Sequence, residues 1–287
     1  MNPSFAKAVL LTGAAGGLGT AMAEALAGDG HRLALVDRDE ERLQALTNRL
    51  WQQYGDGVVL PLALDLTDEE ACAEAVGRAA ERFGRLDMLV NNAGIGMSTL
   101  RPDYHIRPLA AFSEVSVEDW QRFVAVHATA PFVFMRTAAP FMQERGWGRI
   151  VNVTTSLSTM LRPQFFPYGA SKAAREAMSS QFAGELEGTG ITVNVLPPGG
   201  AAATPMVTEE SAPDRNALLS PSVMAPPVRF LASEISDGFT GRRIIAALWD
   251  KRIAPVDSAM QAGGPIGWPG TGPPAIWPED MPGADRA

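Results

Sequence analysis

KAVLLTGAAGGLGTAMAEALAGDG, residues 7–30, sets a short apolar run against a glycine-rich turn and then a segment of helical period. The run is short for a helix and lacks the alternation of a half-exposed strand, so it reads as a strand buried on both faces. The turn itself, TGAAGGLG at 12–19, carries glycines where the backbone must approach something closely. The helix behind it aims its first N–H groups and its positive potential into the same space. Strand, glycine-rich turn and helix in that order make a seat for a pyrophosphate. Its candidate residues are Thr12, Gly13, Gly17, Leu18 and Gly19.

The same alternation continues along the chain. RLALVD (32–37) is a second strand, followed by the charged helix DEERLQALTNRLWQQYG, and VVLPLALD (58–65) is a third. The next helix opens at TDEE, where Thr67 and Glu70 stand at capping-box spacing. LDMLVNN (86–92), GRIVNVTT (148–155) and GITVNVL (190–196) are three more strands, and GRRIIAA (241–247) is a weak seventh. Such alternation predicts an α/β fold, a doubly wound, mostly parallel seven-stranded sheet with helices on both faces. Residues 1–250 read as one domain of this kind. Residues 95–115 form a long connection within it, and 201–220 a segment on the substrate side. Residues 251–287, rich in Pro, Gly and Ala with Trp268 and Trp277, form a tail that cannot build its own core. It is expected to pack across the domain or a neighbouring subunit.

Composition narrows the function classes. A net charge of −8 argues against nucleic acid and anionic membrane surfaces as partners. One cysteine, Cys72, and three histidines (His31, His105, His127) without HExxH or CxxC spacing give no expected metal site. The first apolar run is too short for a signal peptide and no stretch approaches a membrane span, so a soluble, cytoplasmic protein is expected.

Asp37 ends the second strand, where a carboxylate accepts hydrogen bonds from the adenosine ribose hydroxyls and repels a 2′-phosphate. The alternative role is a helix N-cap. The turn offers Ala14 and Ala15 and no basic side chain, so NAD is expected over NADP. Arg38, next to the carboxylate, is placed to stack on adenine or to reach a phosphate.

TGAAGGLG at 12–19, NNAG at 91–94, YGASK at 168–172 and the Pro-Gly at 198–199 stand in an order and spacing that resemble the short-chain dehydrogenase/reductase family. The resemblance covers roughly residues 5–250. It implies a Rossmann-type fold, a nicotinamide cofactor, and interconversion of a secondary alcohol and a ketone. Tyr168 and Lys172, four apart, share one helix face. A phenol titrates too high to act as a base at neutral pH, and a nearby ammonium lowers its pKa. The pair therefore suits the proton transfer that accompanies hydride transfer. The family's Lys also holds the nicotinamide ribose.

The resemblance places a carbonyl-polarising serine thirteen residues before the tyrosine, where this chain has Thr155. Ser156 is the rival, because a one-residue slip at a strand end exchanges the two faces. Where the family has an asparagine that helps hold a relay water, this chain has His127. The histidine either bridges water and titrates near neutrality, or is a buried side chain satisfied by a helix carbonyl. The resemblance also places Asn92, Ala93 and Gly94 against the cofactor, Asp65 and Leu66 near adenine, and Pro198, Gly199 and Thr204 on the nicotinamide side. It implies a homodimer or homotetramer.

For the small-molecule substrate the signals are thinner. Arg101 and Arg107 in the long connection are candidates to pair with a carboxylate or phosphate, or else belong to a surface loop. Leu157, Met160, Phe165 and Phe166 offer an apolar wall. Two other readings keep the cofactor: a dinucleotide-binding sensor or assembly subunit with little turnover, and an epimerase or dehydratase that oxidises transiently.

Overall fold

The computed structural model describes residues 6–101, 104, 112–210, 212 and 214–269. The chain runs β1 (Ala8–Thr12), α1 (Gly17–Gly28), β2 (Arg32–Asp37), α2 (Glu40–Tyr54), β3 (Val59–Ala63), α3 (Glu69–Phe83) and β4 (Met88–Asn91). After the long connection come α4 (Val117–Val124), a π turn (Ala125–Thr129), α5 (Ala130–Gln143), β5 (Gly148–Asn152), α6 (Leu157–Met160), α7 (Tyr168–Glu185) and β6 (Ile191–Val195). The remainder is α8 (Ala225–Ala232), β7 (Arg242–Ile244), α9 (Pro255–Gln261) and β8 (Gly263–Pro265). One sheet contains all eight strands, in the order β3–β2–β1–β4–β5–β6–β7–β8. The first seven are parallel, and β8 runs antiparallel to β7.

Strands β1, β4, β5 and β6 are buried along their whole length, which is why their sequences lack the alternation of a half-exposed strand, and the polar residues they bury find partners, as Asn91 does in Asn152. Successive residues of β1 enter opposite layers. Val9 and Leu11 pack with Leu26, Leu46 and Leu231, while Ala8 and Leu10 pack with Val76, Phe134 and Val193. The order reverses between β1 and β4, so the crevice beyond their carboxyl ends is where a ligand enters such a sheet.

Two local readings change. The N-cap of α3 is Asp68, whose carboxylate accepts from the Ala71 N–H at 3.0 Å. Thr67, expected to cap it, is turned back to Asp65, which accepts both its N–H and its hydroxyl. The cap of α2 is likewise Asp39 and not Asp37. The sheet also has eight strands where the pattern predicts seven. The additional one, β8, is Gly-Gly-Pro, which carries no apolar alternation to read. A Cβ at Gly263 would lie 1.6 Å from the Arg243 carbonyl oxygen, so only glycine permits this pairing. Ahead of it, α9 packs on α8, and Ala259 and Ala262 are buried in the layer that contains α1 and α8. Pro265 stands opposite Arg242, and at the other end of the sheet Pro61 of β3 stands opposite Leu35. Trp277 lies outside the described residues. Among those residues no helix is long and apolar enough to cross a membrane.

Candidate active site

Two cavities that share lining residues occupy the crevice at the strand ends. The smaller, about 380 Å³, runs from the glycine-rich turn to Asp37, Arg38 and Asp65. The larger, about 810 Å³, holds Thr155, Tyr168 and Lys172. Leu18, Asn92, Gly94, Gly96, Thr204 and Met206 line both, so a ligand as long as a dinucleotide spans them without crossing a wall.

At the first cavity the backbone comes close because side chains are missing. A Cβ on Gly13 would sit 2.7 Å from Ala93 Cα, and one on Gly17 would sit 2.6 Å from Thr204 Cγ2. Gly13, Gly17 and Gly19 all border the space, and the first turn of α1 has N–H groups without helical partners there. Asp37 is held toward the same space, with Oδ2 accepting from the Ala15 N–H at 2.9 Å. Asp65 sits across from it; the Thr67 N–H and hydroxyl, with Arg38 and Arg122 nearby, hold its carboxyl below the usual range. Leu66, Asn92, Ala93 and Gly94 complete the lining. Thr12, grouped with these by sequence, lines neither cavity. It is buried behind the turn, where its hydroxyl accepts from the Asn92 and Ala93 N–H groups at 3.1 Å each. This glycine cradle and the carboxylate at its far end fit a nicotinamide dinucleotide.

The larger cavity brings together the tyrosine, the lysine and one hydroxyl. Tyr168 opens α7 and shares the cavity wall with Thr155, which lies just beyond β5. Burial pushes the phenol pKa up; the Thr155 hydroxyl and the charge of Arg175 oppose that shift. Ser156 is otherwise engaged. It is the N-cap of α6, accepting from the Thr159 N–H and bonded to the Ser158 and Thr159 hydroxyls. Lys172 is buried on α7 with Nζ donating to the Val153 carbonyl at 3.1 Å. Pro198 and Gly199 line the opposite side, and Thr204 lies over Gly17 where the cavities meet. Phe165 stands on the wall, its ring edge-on to Tyr168 at 6.3 Å.

His127 lies behind this wall, fully buried in the π turn. Nε2 accepts from the Ile95 N–H at 3.0 Å, so the proton is on Nδ1, which donates to Ser171 Oγ at 2.8 Å. Ser171 Oγ in turn shares its one proton between the Pro167 and Tyr168 carbonyls, each at 3.0 Å. Burial, with Lys172 and Arg175 nearby, keeps the imidazole pKa well below its ordinary value. A neutral ring with both nitrogens engaged neither titrates near neutrality nor presents a free nitrogen to water, which departs from the relay expectation. Arg101 is half-buried and lines neither cavity, and Arg107 lies outside the described residues.

A family model described as short chain dehydrogenase matches residues 7–215. The chain belongs to the short-chain dehydrogenase family. A 2,5-dichloro-2,5-cyclohexadiene-1,4-diol dehydrogenase of Sphingobium indicum is 32% identical over 266 residues, 93% of this chain and 99% of the relative. A D-threitol dehydrogenase of Mycolicibacterium smegmatis is 35% identical over 193 residues, 67% of this chain and 69% of the relative. Among solved structures, a 3-ketoacyl-(acyl-carrier-protein) reductase from Brucella melitensis complexed with NADH is 29% identical. It superposes with a TM-score of 0.72, covering 83% of this chain and 95% of that one. This member of the short-chain dehydrogenases is accordingly an oxidoreductase acting on CH–OH groups, with a nicotinamide cofactor.

Three side chains of this short-chain dehydrogenase's site were not picked out from the sequence. Arg162 is exposed at the large cavity, its guanidinium 4.5 Å from the centre of the Phe165 ring. Its signal is its place between Ser156 and Tyr168. Arg243 of β7 donates to the Thr155 carbonyl and pairs with buried Glu176, whose Oε2 also accepts from the Thr154 hydroxyl at 3.0 Å. That arrangement braces the backbone carrying Thr155. Arg175, fully buried one turn after Lys172, was a third, and no local pattern marks it.

Proposed function

We propose that the enzyme uses NAD(H) to interconvert a secondary alcohol and a ketone, with Tyr168 as the acid/base and Thr155 as the polarising hydroxyl. The observation that carries this is that Thr155, Tyr168 and Lys172 stand together on the wall of the larger cavity. Bound along the crevice, the nicotinamide cofactor supplies or accepts the hydride. The proton belongs to the protein. In oxidation the Tyr168 oxygen takes the hydroxyl proton of the alcohol, and in reduction it returns one to the carbonyl oxygen. The Thr155 hydroxyl donates to that same oxygen and stabilises the negative charge that develops on it. Lys172 supports the phenolate and reaches the cofactor ribose, and His127 positions the chain at Ile95 and Ser171. In this reading the protein works in the cytoplasm as a homodimer or homotetramer. The test is NADH formation across a panel of secondary alcohols; silence throughout, with NADH binding intact, would overturn it.

Asp37 supports NAD over NADP, since a fixed carboxylate at the adenosine end repels a 2′-phosphate. Arg42, at the same cavity, is paired with Asp39 at 3.2 Å. Asp37→Ser should raise the preference for NADPH over NADH by about tenfold in kcat/KM, because a like-charge contact is removed. An unchanged ratio would assign cofactor choice to Arg38 and Arg122.

At the substrate end Arg162 is the candidate anion partner among the described residues, since Arg101 lines neither cavity. No carboxylate is among the described residues lining the larger cavity. Arg162→Gln should lower kcat/KM for carboxylate-bearing alcohols by about threefold to fivefold, the scale of a solvent-exposed ion pair, and leave their amides unaffected. Equal losses on acids and amides would remove the assignment.

A further inference from the structure

β5 ends at Asn152, so Thr155 stands beyond the strand and needs some other hold on its backbone. An ion pair supplies it. Glu176, fully buried on α7 two turns after Tyr168, accepts with Oε2 from the Thr154 hydroxyl at 3.0 Å. The same oxygen pairs with Arg243 Nη1, and Arg243 Nη2 donates to the Thr155 carbonyl. Thr155 is thus tied on both sides, through the side chain before it and through its own carbonyl after it. Both ties meet in one guanidinium–carboxylate pair.

The pair joins the two halves of the catalytic wall. Glu176 lies on the helix that carries Tyr168 and Lys172, and Arg243 on β7. The Arg243 backbone is gripped in turn by β8, where Gly263 packs against its carbonyl and Gly264 stands opposite. Neither Glu176 nor Arg243 lines the larger cavity, so they act on the reaction only through the residues they hold. A buried carboxylate and a nearly buried guanidinium are costly to keep, and an apolar pair of similar volume would hold the layers as well. What an apolar pair lacks is direction. The planar fork fixes the Thr155 peptide, and with it the direction of the Thr155 side chain.

We propose that Glu176 and Arg243 are positioning residues, whose ion pair aims the Thr155 hydroxyl so that one substrate oxygen meets both it and Tyr168. The inference rests on the proposed role of Thr155 as the polarising hydroxyl. A donor turned off its line loses most of its effect on the developing charge, although the substrate still binds. The mark of the pair is therefore a loss in kcat with KM little changed.

Removing one partner alone leaves the other charge buried, so the pair is removed whole, as Glu176→Gln/Arg243→Met. With the best alcohol of the panel, kcat should fall by about thirtyfold or more, while KM and NADH affinity stay within about threefold. Arg243→Lys keeps the charge and lacks the fork, and should lie between, about fivefold below wild type. Both variants are then made in a Thr155→Ala background. Thr155→Ala itself should lower kcat by about a hundredfold, and removing the pair on top of it should cost less than about twofold, because the group it aims is gone. Losses that multiply across the two backgrounds, or a loss carried by KM, would overturn the proposal and leave the Thr155 reading standing. A wild type silent on every alcohol, or Thr155→Ala with undiminished kcat, would overturn that reading and this assignment together. If the paired variant does not fold, Arg243→Lys decides by the same comparison. A kcat loss that disappears in the Thr155→Ala background supports the assignment, and equal losses in both backgrounds, or none in either, overturn it.

Discussion

Turnover should fall by about 10³-fold when Tyr168 is replaced by phenylalanine, while NADH affinity stays within about threefold of wild type. The ring itself is held by packing that phenylalanine reproduces. It meets His127 edge-on at 5.4 Å and Phe165 edge-on at 6.3 Å. Only the hydroxyl is lost. The Thr155 hydroxyl beside it is half-buried at the cavity, where water can take the place of the phenol oxygen. Melting temperature should therefore change little. Three measurements on one variant check this: NADH formation with the best alcohol of the panel, NADH titration by fluorescence, and a thermal melt. Retention of more than about a tenth of the turnover would remove Tyr168 from the acid/base role.

Gly19→Ala should cost about 3 kcal/mol of stability and weaken NADH binding by tenfold or more. A Cβ at Gly19 would lie 2.0 Å from the Gly13 carbonyl oxygen and 2.8 Å from Ala14 Cα. Both are backbone atoms, so no rotamer relieves the contact and α1 must move away from the turn. Met22, Ala23 and Leu26 on that helix are fully buried against the sheet, so the shift also loosens the core. The same movement takes the first-turn N–H groups off the crevice. Gly77→Ala is the control. It lies inside α3 with nothing within 4 Å of an added Cβ, and should be neutral or stabilising by up to about 1 kcal/mol. Chemical denaturation and NADH titration on the two variants separate a steric effect from a general intolerance of alanine for glycine.

Much of this molecule is legible from its sequence because the responsible physics is local. A strand buried on both faces is mostly apolar, and a backbone pressed against another backbone calls for glycine. Tyr168 and Lys172 are set on one helix face by spacing alone. The choice between Thr155 and Ser156 is not local in that sense. Strand alternation leaves it open, and what bears on it is α6, which begins at the next residue and takes Ser156 as its cap. His127 is harder to read. Its protonation depends on the Ile95 N–H, brought to it from 32 positions away. Arg175 sits in the run AAREA, which by composition belongs on a solvated helix face. Its five partners, backbone carbonyls at 91, 93, 126, 127 and 153, are in place only once the sheet has formed. β8 was missed for the opposite reason: three residues of Gly-Gly-Pro form a strand because a partner edge is there to receive them.

The two prolines at the ends of the sheet bear on how copies of this chain meet. In β3 the residues bonded toward β2 are the even ones, as the Val58 carbonyl and the Leu64 N–H show, so Pro61 points outward. In β8 the Ala262 carbonyl and the Ile266 N–H face β7, and Pro265 again points outward. Each outermost strand thus lacks a donor at the middle or end of its free row. A neighbouring strand that approached either margin would find an interrupted template and gain few ladder bonds. Among the described residues, continuous intermolecular sheets are disfavoured at both margins, which steers self-association toward helical surfaces and guards the chain against fibrous aggregation.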